Sequence, residues 1–537
     1  MVLDRLEVHG VDLVFGVISI HTLNLFDALY DRQDRIRHLG GRTELACGFM
    51  ADGYARSSGR PGVLFTSSGP GAANSMHSMG EAYHSSSPIL QITTNVEREY
   101  TDRDLGITHE PKEQLQMFRS VTDWNSLVDN LDSIPGQIDE AFVRFKTRRP
   151  RPIELEIPTD LLGETAETTN LQPPEAAPPA ATDAQIEEVL QEIVRSQRPL
   201  IWAGEEISST GGTEELIKLA ENLGVPVVTA DGAKDAFPED HPLSLGTALG
   251  ERIWARNPVH EFIGSCDLVI ALGAALPYRT TVGIGIEIRG QVVQVVLDPH
   301  YLGRNYPVSV GIAASARVVV SQLLDALNDK EYTKANAYLA EVSHLKRQID
   351  QDLREQWPNE VRVMEAIRSV LPRETITCWD TTVPTSRASR AFRIYQPRTF
   401  MNPYGWVGIG FSFPAALGAK AANPTVPVVC FSGDGGFQYC LSELATAAQY
   451  NLNVTVVMFN DNAWGVLRGF QKRSFQGRFI GTELVNPDFT QLVEAYGFSG
   501  KRVDTVKELV PALEKAVAAP ELTFLEVRIP RGLGELS

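Results

Sequence analysis

Two polar turns, one strand–helix–strand unit apart, hold the residue types that could do chemistry. An apolar run over residues 426–431 leads into Ser432-Gly433-Asp434-Gly435-Gly436-Phe437, and a second over residues 454–459 ends in Asn460-Asp461-Asn462-Ala463-Trp464-Gly465. Asp434 and Asp461 offer hard oxygens and a turn carbonyl a third, so two diphosphate oxygens and water would complete the octahedron that Mg²⁺ demands. The glycines let the backbone approach phosphates and aim N–H groups at them from the start of a helix, here marked by Glu443, Leu444, Ala447 and Ala448 at helical spacing. Both turns fall at the carboxyl ends of strands in one sheet, where open α/β sheets bind ligands. Gly-Asp-Gly alone recurs by chance, and two ordinary turns are the plain alternative. The matching turn at the end of the next strand makes the pair specific.

A chain of 537 residues exceeds one hydrophobic core, and three similar α/β blocks can be traced. In the first, residues 13–15, 62–65, 89–92 and 154–158 read as buried strands alternating with helical patterns. Residues 171–182, LQPPEAAPPAAT, form a linker by composition. The second block has strands at 199–204, 225–228, 268–273 and 292–297. A charged helical stretch over 331–356 leads to a third, with strands at 375–378, 426–431, 454–459 and 524–527. The expected domains are residues 1–165, 183–335 and 355–537, each a parallel-sheet α/β unit.

The net charge of −18 argues against nucleic-acid or membrane partners, since an acidic surface repels phosphates and anionic lipids. Five scattered cysteines without CxxC spacing suggest neither a zinc site nor a disulfide framework, and fit a reducing, cytoplasmic setting. Asp4, Arg5 and Glu7 stand where a signal peptide would be apolar, and the longest apolar run, 268–276, is too short for a bilayer. A NAD-linked enzyme is disfavoured, because no GxGxxG follows a strand.

A second carboxylate, Glu44, follows Gly40-Gly41-Arg42-Thr43 after the apolar end of a short strand and opens an Ala- and Gly-rich helix. Helix-dipole stabilisation explains many such glutamates. Here a resemblance becomes direct. The stretch 433–462 resembles the diphosphate-and-metal signature of thiamine diphosphate enzymes, with Asp461 where many members have Asn. The segment from Glu44 to Gly53-Tyr54-Ala55-Arg56 resembles the glutamate helix of the acetolactate synthase family. Ser68-Gly69-Pro70-Gly71, Arg149-Pro150-Arg151-Pro152, Asp240-His241-Pro242-Leu243, Leu302-Gly303-Arg304-Asn305-Tyr306 and Pro414-Ala415-Ala416-Leu417-Gly418-Ala419 extend the likeness over essentially the whole chain.

That resemblance implies pyrimidine-binding, central and diphosphate-binding domains. It implies a cofactor shared between two subunits, hence at least a homodimer and, further, a homotetramer. It makes Asp434, Asp461 and the Ala463 carbonyl the Mg²⁺ ligands. Glu44 becomes the carboxylate that hydrogen-bonds the aminopyrimidine so that its amino group can act as a base. Ile409 becomes the aliphatic prop beneath the bent cofactor, and the Val407 carbonyl the acceptor for the aminopyrimidine. Gly433, Gly435, Gly436, Trp464, Thr382 and Asn74 complete the implied cofactor contacts.

Thr108-His109-Glu110-Pro111-Lys112-Glu113-Gln114 is either a solvated loop or a proton-handling one. It resembles the loop of 2-oxo acid decarboxylases acting on a guanidino-oxopentanoate, where acetolactate synthases tend to carry Phe-Gln. His109 and Glu110 are therefore catalytic candidates, and Gln114 a substrate-pocket one. His21 is a further catalytic candidate, although Ile18-Ser19 replaces the family's Pro-Gly just before it. Trp464, Leu467 and Arg468 follow the metal turn where relatives line the substrate pocket. Leu467 stands near the place of a catalytic Glu in pyruvate decarboxylases, and Arg468 suits either a substrate carboxylate or a surface one. Leu272-Gly273-Ala274-Ala275-Leu276-Pro277-Tyr278-Arg279 matches the FAD-binding pattern of acetolactate synthases only loosely, and FAD is not expected. The implied activity is decarboxylation of a small 2-oxo acid, releasing an aldehyde or joining the fragment to a second carbonyl. An acetolactate synthase-type carboligase and a non-catalytic homologue are the alternatives.

Overall fold

The computed structural model describes residues 1–165, 172–248, 258–327, 336–530 and 536. Three six-stranded, wholly parallel sheets follow one another along the chain. In the first, the order across the sheet is Arg37–Leu39, Leu13–Gly16, Gly62–Thr66, Ile89–Asn95, Ile153–Pro158 and Trp124–Leu127. The third repeats that connectivity with Phe400–Met401, Ile376–Trp379, Val428–Gly433, Thr455–Asn460, Thr523–Arg528 and Ser499–Val503. The central sheet runs Val310–Ala313, Gln291–Val296, Leu268–Leu272, Pro199–Ala203, Val227–Thr229 and Ser244–Thr247. Inner strands are buried on both faces, which is why they read as continuous apolar runs.

Residues 172–182 contain neither helix nor strand, as the Pro-Ala composition predicts. The segment is nonetheless pinned. Arg5 donates to the Gln172 carbonyl at 2.9 Å, and Gln322 and Ala181 exchange hydrogen bonds of 3.1 and 2.9 Å. Residue 171 of the predicted linker and residues 331–335 of the predicted charged helix lie outside the described residues. The described part of that helix, Asn336–Gln356, runs from the central sheet, where Tyr338 donates to Pro199 O at 2.6 Å, to the core beneath the third sheet, where Leu353 is buried.

The first and third domains are joined by two crossing helices, Glu44–Ser58 and Ser412–Ala422. Their backbones meet at glycines. A Cβ on Gly53 would lie 2.1 Å from Ala415 O, and one on Gly418 would lie 1.9 Å from Met50 O. Glu443 closes the same junction, its buried carboxylate accepting from the Arg42 amide at 3.0 and 3.2 Å. The helix expected after Gly433 is divided into Asp434–Tyr439 and Glu443–Tyr450. All five cysteines are buried and free. Among the described residues no helix is long and apolar enough to cross a membrane.

Candidate active site

The strand Val428–Gly433 delivers Gly433 as the cap of the short helix that Asp434 opens, and Thr455–Asn460 delivers Asp461 one residue beyond its end. The two turns line one cavity of about 320 Å³. Thr382, Val407, Ile409, Gly433, Asp434, Gly435, Gly436, Asp461, Ala463, Trp464 and Leu467 all face it, so eleven positions singled out in the sequence share one space. The glycines keep it open. A Cβ on Gly433 would meet the Thr382 methyl at 2.9 Å, and one on Gly435 the Trp464 ring at 2.5 Å.

The electrostatics suit a bound cation. Burial raises Asp434 above the ordinary carboxylate range, against the Asn486 amide and nearby backbone N–H groups that hold it down. Burial first, and the Asp434 charge second, push Asp461 from 3.8 up to about 7. Two desolvated carboxylates facing each other are costly unless a positive charge lies between them. Among the described residues no third His, Cys, Asp or Glu completes a metal cluster. The side-chain donors here are two carboxylates, a set that fits a hard cation whose remaining ligands come from backbone carbonyls, a diphosphate and water.

Sequence reasoning missed two organisers of this cavity. The Asn486 side-chain amide donates to Asp434 at 2.7 Å and to the Asn460 and Asn462 side chains, each at 3.1 Å, tying both turns together. Asp380 is buried under Gly436 and accepts from the amides of Thr381 at 2.7 Å and Gly410 at 3.2 Å and from the Ser412 hydroxyl at 3.1 Å. Burial raises it too. The polar run Asp380-Thr381-Thr382 at the end of a strand was the available signal for Asp380. Asn486 carried none, lying more than twenty residues downstream in a loop.

Glu44, Asn74, His21 and His109 do not line the cavity. They sit on the first domain as two contacting pairs, Glu44 with Asn74 and His21 with His109. Thr43 caps the helix that Glu44 opens, accepting from Ala46 at 3.2 Å, and the Asn74 amide donates to Glu44 at 3.1 Å. The His21 and His109 rings lie 4.7 Å apart, and Ser67 Oγ is 3.2 Å from His109 Nδ1. Burial, then the neighbouring His109, lower the His21 pKa, and His21 Nδ1 is buried without a hydrogen-bond partner among the described residues. Ile18-Ser19 leads into a single 3₁₀ turn, Ile20–Thr22, that Ser19 caps, with Ser19 N donating to Thr22 Oγ1 at 2.9 Å, and Ile18 and Ile20 stay exposed.

Two expectations change, for Glu110 and Gln114, and one of the two alternatives for Arg468 is selected. Glu110 accepts from the amides of Leu105, Gly106 and Ile107 at 3.1, 2.7 and 3.0 Å, and these bonds hold it below the usual carboxylate range. Its carboxylate orders its own loop instead of sharing a proton with His109. Gln114 is buried, accepting from Gly69 N at 2.9 Å and donating to Thr94 O at 3.0 Å, so its amide is committed to backbone. Arg468 pairs with Glu483 and stacks on the Phe479 ring at 4.0 Å, which makes it the partner of a surface carboxylate.

Comparison with known proteins places this geometry. Three profiles match: the N-terminal TPP binding domain of thiamine pyrophosphate enzymes over residues 1–120, their central domain over 186–323, and their C-terminal TPP binding domain over 380–527. A probable acetolactate synthase large subunit of Methanocaldococcus jannaschii is 30% identical, covering 98% of this chain and 91% of that protein. A probable 2-ketoarginine decarboxylase, AruI, of Pseudomonas aeruginosa is 30% identical, covering 97% and 92%. Among solved structures, a thiamine diphosphate-dependent 4-hydroxybenzoylformate decarboxylase of Rhodococcus jostii RHA1 shares the fold with a TM-score of 0.82 at 20% identity, covering 99% of each chain. The chain belongs to the thiamine pyrophosphate enzyme family, among the acetolactate synthases and 2-oxo acid decarboxylases.

Proposed function

We propose that this protein decarboxylates a small 2-oxo acid with thiamine diphosphate and Mg²⁺, and releases the remaining fragment as an aldehyde or joins it to a second carbonyl. The observation that carries the reading is the pair of carboxylates, buried Asp434 and half-buried Asp461, facing one cavity beside a glycine cradle. Asp434, Asp461 and the Ala463 carbonyl would hold the metal, and the backbone of Gly433, Gly435 and Gly436 the diphosphate. Ile409 would support the cofactor from below, and the Val407 carbonyl, now accepting from Thr381 Oγ1 at 3.2 Å, would take its aminopyrimidine. When bound, thiamine diphosphate supplies the electron sink that lets CO₂ depart. The chain supplies proton control. Glu44, held by Asn74, would hydrogen-bond the pyrimidine ring and hold the proton shared there, and His21 and His109 of the same domain would supply protons to the fragment that remains once CO₂ has left.

Because Glu44 lies apart from the cavity in one chain, the complete site is assembled from two copies. Exposed apolar residues beside the half-sites support this reading: Ile20 is 74% exposed, Leu467 54% and Ile480 82%, burdens that a partner's surface would remove. The residue ranges 1–165, 183–335 and 355–537 are proposed as the three domains, and the cytoplasm as the compartment.

Decarboxylation is favoured over ligation by the resemblance of the loop around His109 to that of 2-oxo acid decarboxylases. The likeness to acetolactate synthases keeps a carboligase as the second reading. A panel of 2-oxo acids assayed for CO₂ release, with product analysis on pyruvate alone, tests both. Acetaldehyde supports the decarboxylase and acetolactate the carboligase. Absence of thiamine diphosphate binding by calorimetry in the presence of Mg²⁺ would exclude either.

A further inference from the structure

The loop from Tyr404 to Gly408 carries Val407 and leads into Ile409, and it is held by a residue that none of the readings above uses. Glu81 lies on the helix Pro70–His84 of the first domain and is fully buried. Its Oε1 accepts from Tyr404 N at 2.9 Å, Gly405 N at 3.3 Å and Ser85 Oγ at 2.9 Å, and its Oε2 accepts from Gly408 N at 3.1 Å. A carboxylate is acceptor-only, so it can satisfy four such donors at once, and bonds of this charge-assisted kind are stronger than neutral ones.

The loop lies flat on that helix. A Cβ on Gly405 would meet His84 Cβ at 1.9 Å, one on Gly408 would meet His77 Nε2 at 2.5 Å, and one on Gly80 would meet the Trp406 ring at 2.3 Å. Between the clamped glycines, Val407 has φ of +58°. A β-branched side chain pays steric strain in this left-handed region and stays there only when its surroundings over-determine it. The constraints on either side are the three amides that Glu81 binds. The conformation matters because it sets the direction of the Val407 carbonyl, and the same loop ends at Ile409.

We propose that Glu81 is a positioning residue for the cofactor-facing loop. From one domain it fixes the backbone of another, forcing Val407 into the left-handed conformation that presents its carbonyl and the Ile409 side chain. Its catalytic relevance rests on the thiamine diphosphate reading above, whereas the clamp itself can be tested without any cofactor.

Glu81→Gln keeps the shape but replaces one acceptor oxygen by an NH₂ donor, so in either amide orientation an N–H faces an N–H. In the cofactor-free chain, hydrogen exchange at residues 404–408 should accelerate by about tenfold or more over wild type. In the loaded enzyme, kcat should fall by about ten- to a hundredfold with KM for the 2-oxo acid within about twofold, as expected when a charged hydrogen-bonding partner acts on orientation and not on substrate binding. The diagnostic arm is Val407→Gly. Glycine adopts positive φ freely, so the kcat ratio of E81Q/V407G to V407G should lie nearer one than that of E81Q to wild type. Unchanged exchange at 404–408, or equal ratios in the two backgrounds, would overturn the proposal. If E81Q does not fold, recovery of folding in E81Q/V407G supports it, and continued misfolding beside a folded V407G overturns it. A wild-type chain that binds no thiamine diphosphate would defeat the cofactor reading, while the exchange arm still judges the clamp.

Discussion

Glu44, the carboxylate proposed to share a proton, is held by local means: a Thr43 cap, a helix start and the Asn74 amide. Glu44→Gln keeps the shape and the hydrogen bond from Asn74 but removes the titratable group. Turnover should drop by at least about a hundredfold, the scale of a lost general acid–base. Metal-dependent binding of thiamine diphosphate, read by calorimetry, should survive. Undiminished turnover would remove Glu44 from the mechanism. At this scale the sequence was most informative where spacing carried the signal, as with Asp434 and Asp461. It was least informative where a side chain had a choice of partners. Glu110, Gln114 and Arg468 are of the right types for substrate chemistry, and each is taken up by a neighbour that only the folded chain supplies: loop amides, the Gly69 and Thr94 backbone, and Glu483.

Among elements, the crossing of Glu44–Ser58 and Ser412–Ala422 fixes the distance between two domains through Gly53 and Gly418. Gly53→Ala should destabilise by about 1–3 kcal/mol or more, the usual range for overpacking, because its Cβ would strike a backbone carbonyl that cannot rotate away. Denaturant titration measures this, and a loss within error would show that the crossing can open. A second element-scale test concerns Glu206, whose buried carboxylate accepts from Leu297 N at 3.1 and 3.2 Å beside the central sheet. Burial pushes Glu206 from 4.5 up to about 7, against the nearby Arg149 charge. The folded chain therefore binds more protons than the unfolded chain across that window, and its stability falls as pH rises through it. The thermal midpoint of wild type relative to Glu206→Gln should be highest near about pH 5 and decline towards about pH 8. A pH-independent difference would show that Glu206 does not titrate there. The strands themselves were legible unevenly. Inner strands declared themselves as apolar runs. The edges Trp124–Leu127, Ser244–Thr247, Val310–Ala313, Phe400–Met401 and Ser499–Val503 did not, because an edge strand is short or half-solvated and needs no continuous apolar face.

For the whole molecule, the decisive test is complementation. If the site is shared between copies, Glu44→Gln and Asp434→Asn chains, each inactive alone, should regain activity when unfolded and refolded together. Random pairing into symmetric dimers would leave one intact site in each mixed pair, or about a quarter of wild-type activity. No recovery would place both halves of the site in one chain.

By itself the sequence determined the chemistry on offer: two turns at matched strand ends, a carboxylate opening a glycine-rich helix, and three parallel α/β blocks. These are local properties, set by residue type, spacing and the burial of inner strands. Tertiary structure decided what those groups can reach. It gathered Asp434, Asp461, Ile409 and Trp464 around one cavity and left Glu44 out of its lining. It also recruited Asn486, Asp380 and Glu81 as organisers. Hydrogen bonds between residues 52, 32 and more than 300 positions apart leave no periodic trace in a chain, because they depend on how domains pack and not on what precedes or follows each residue.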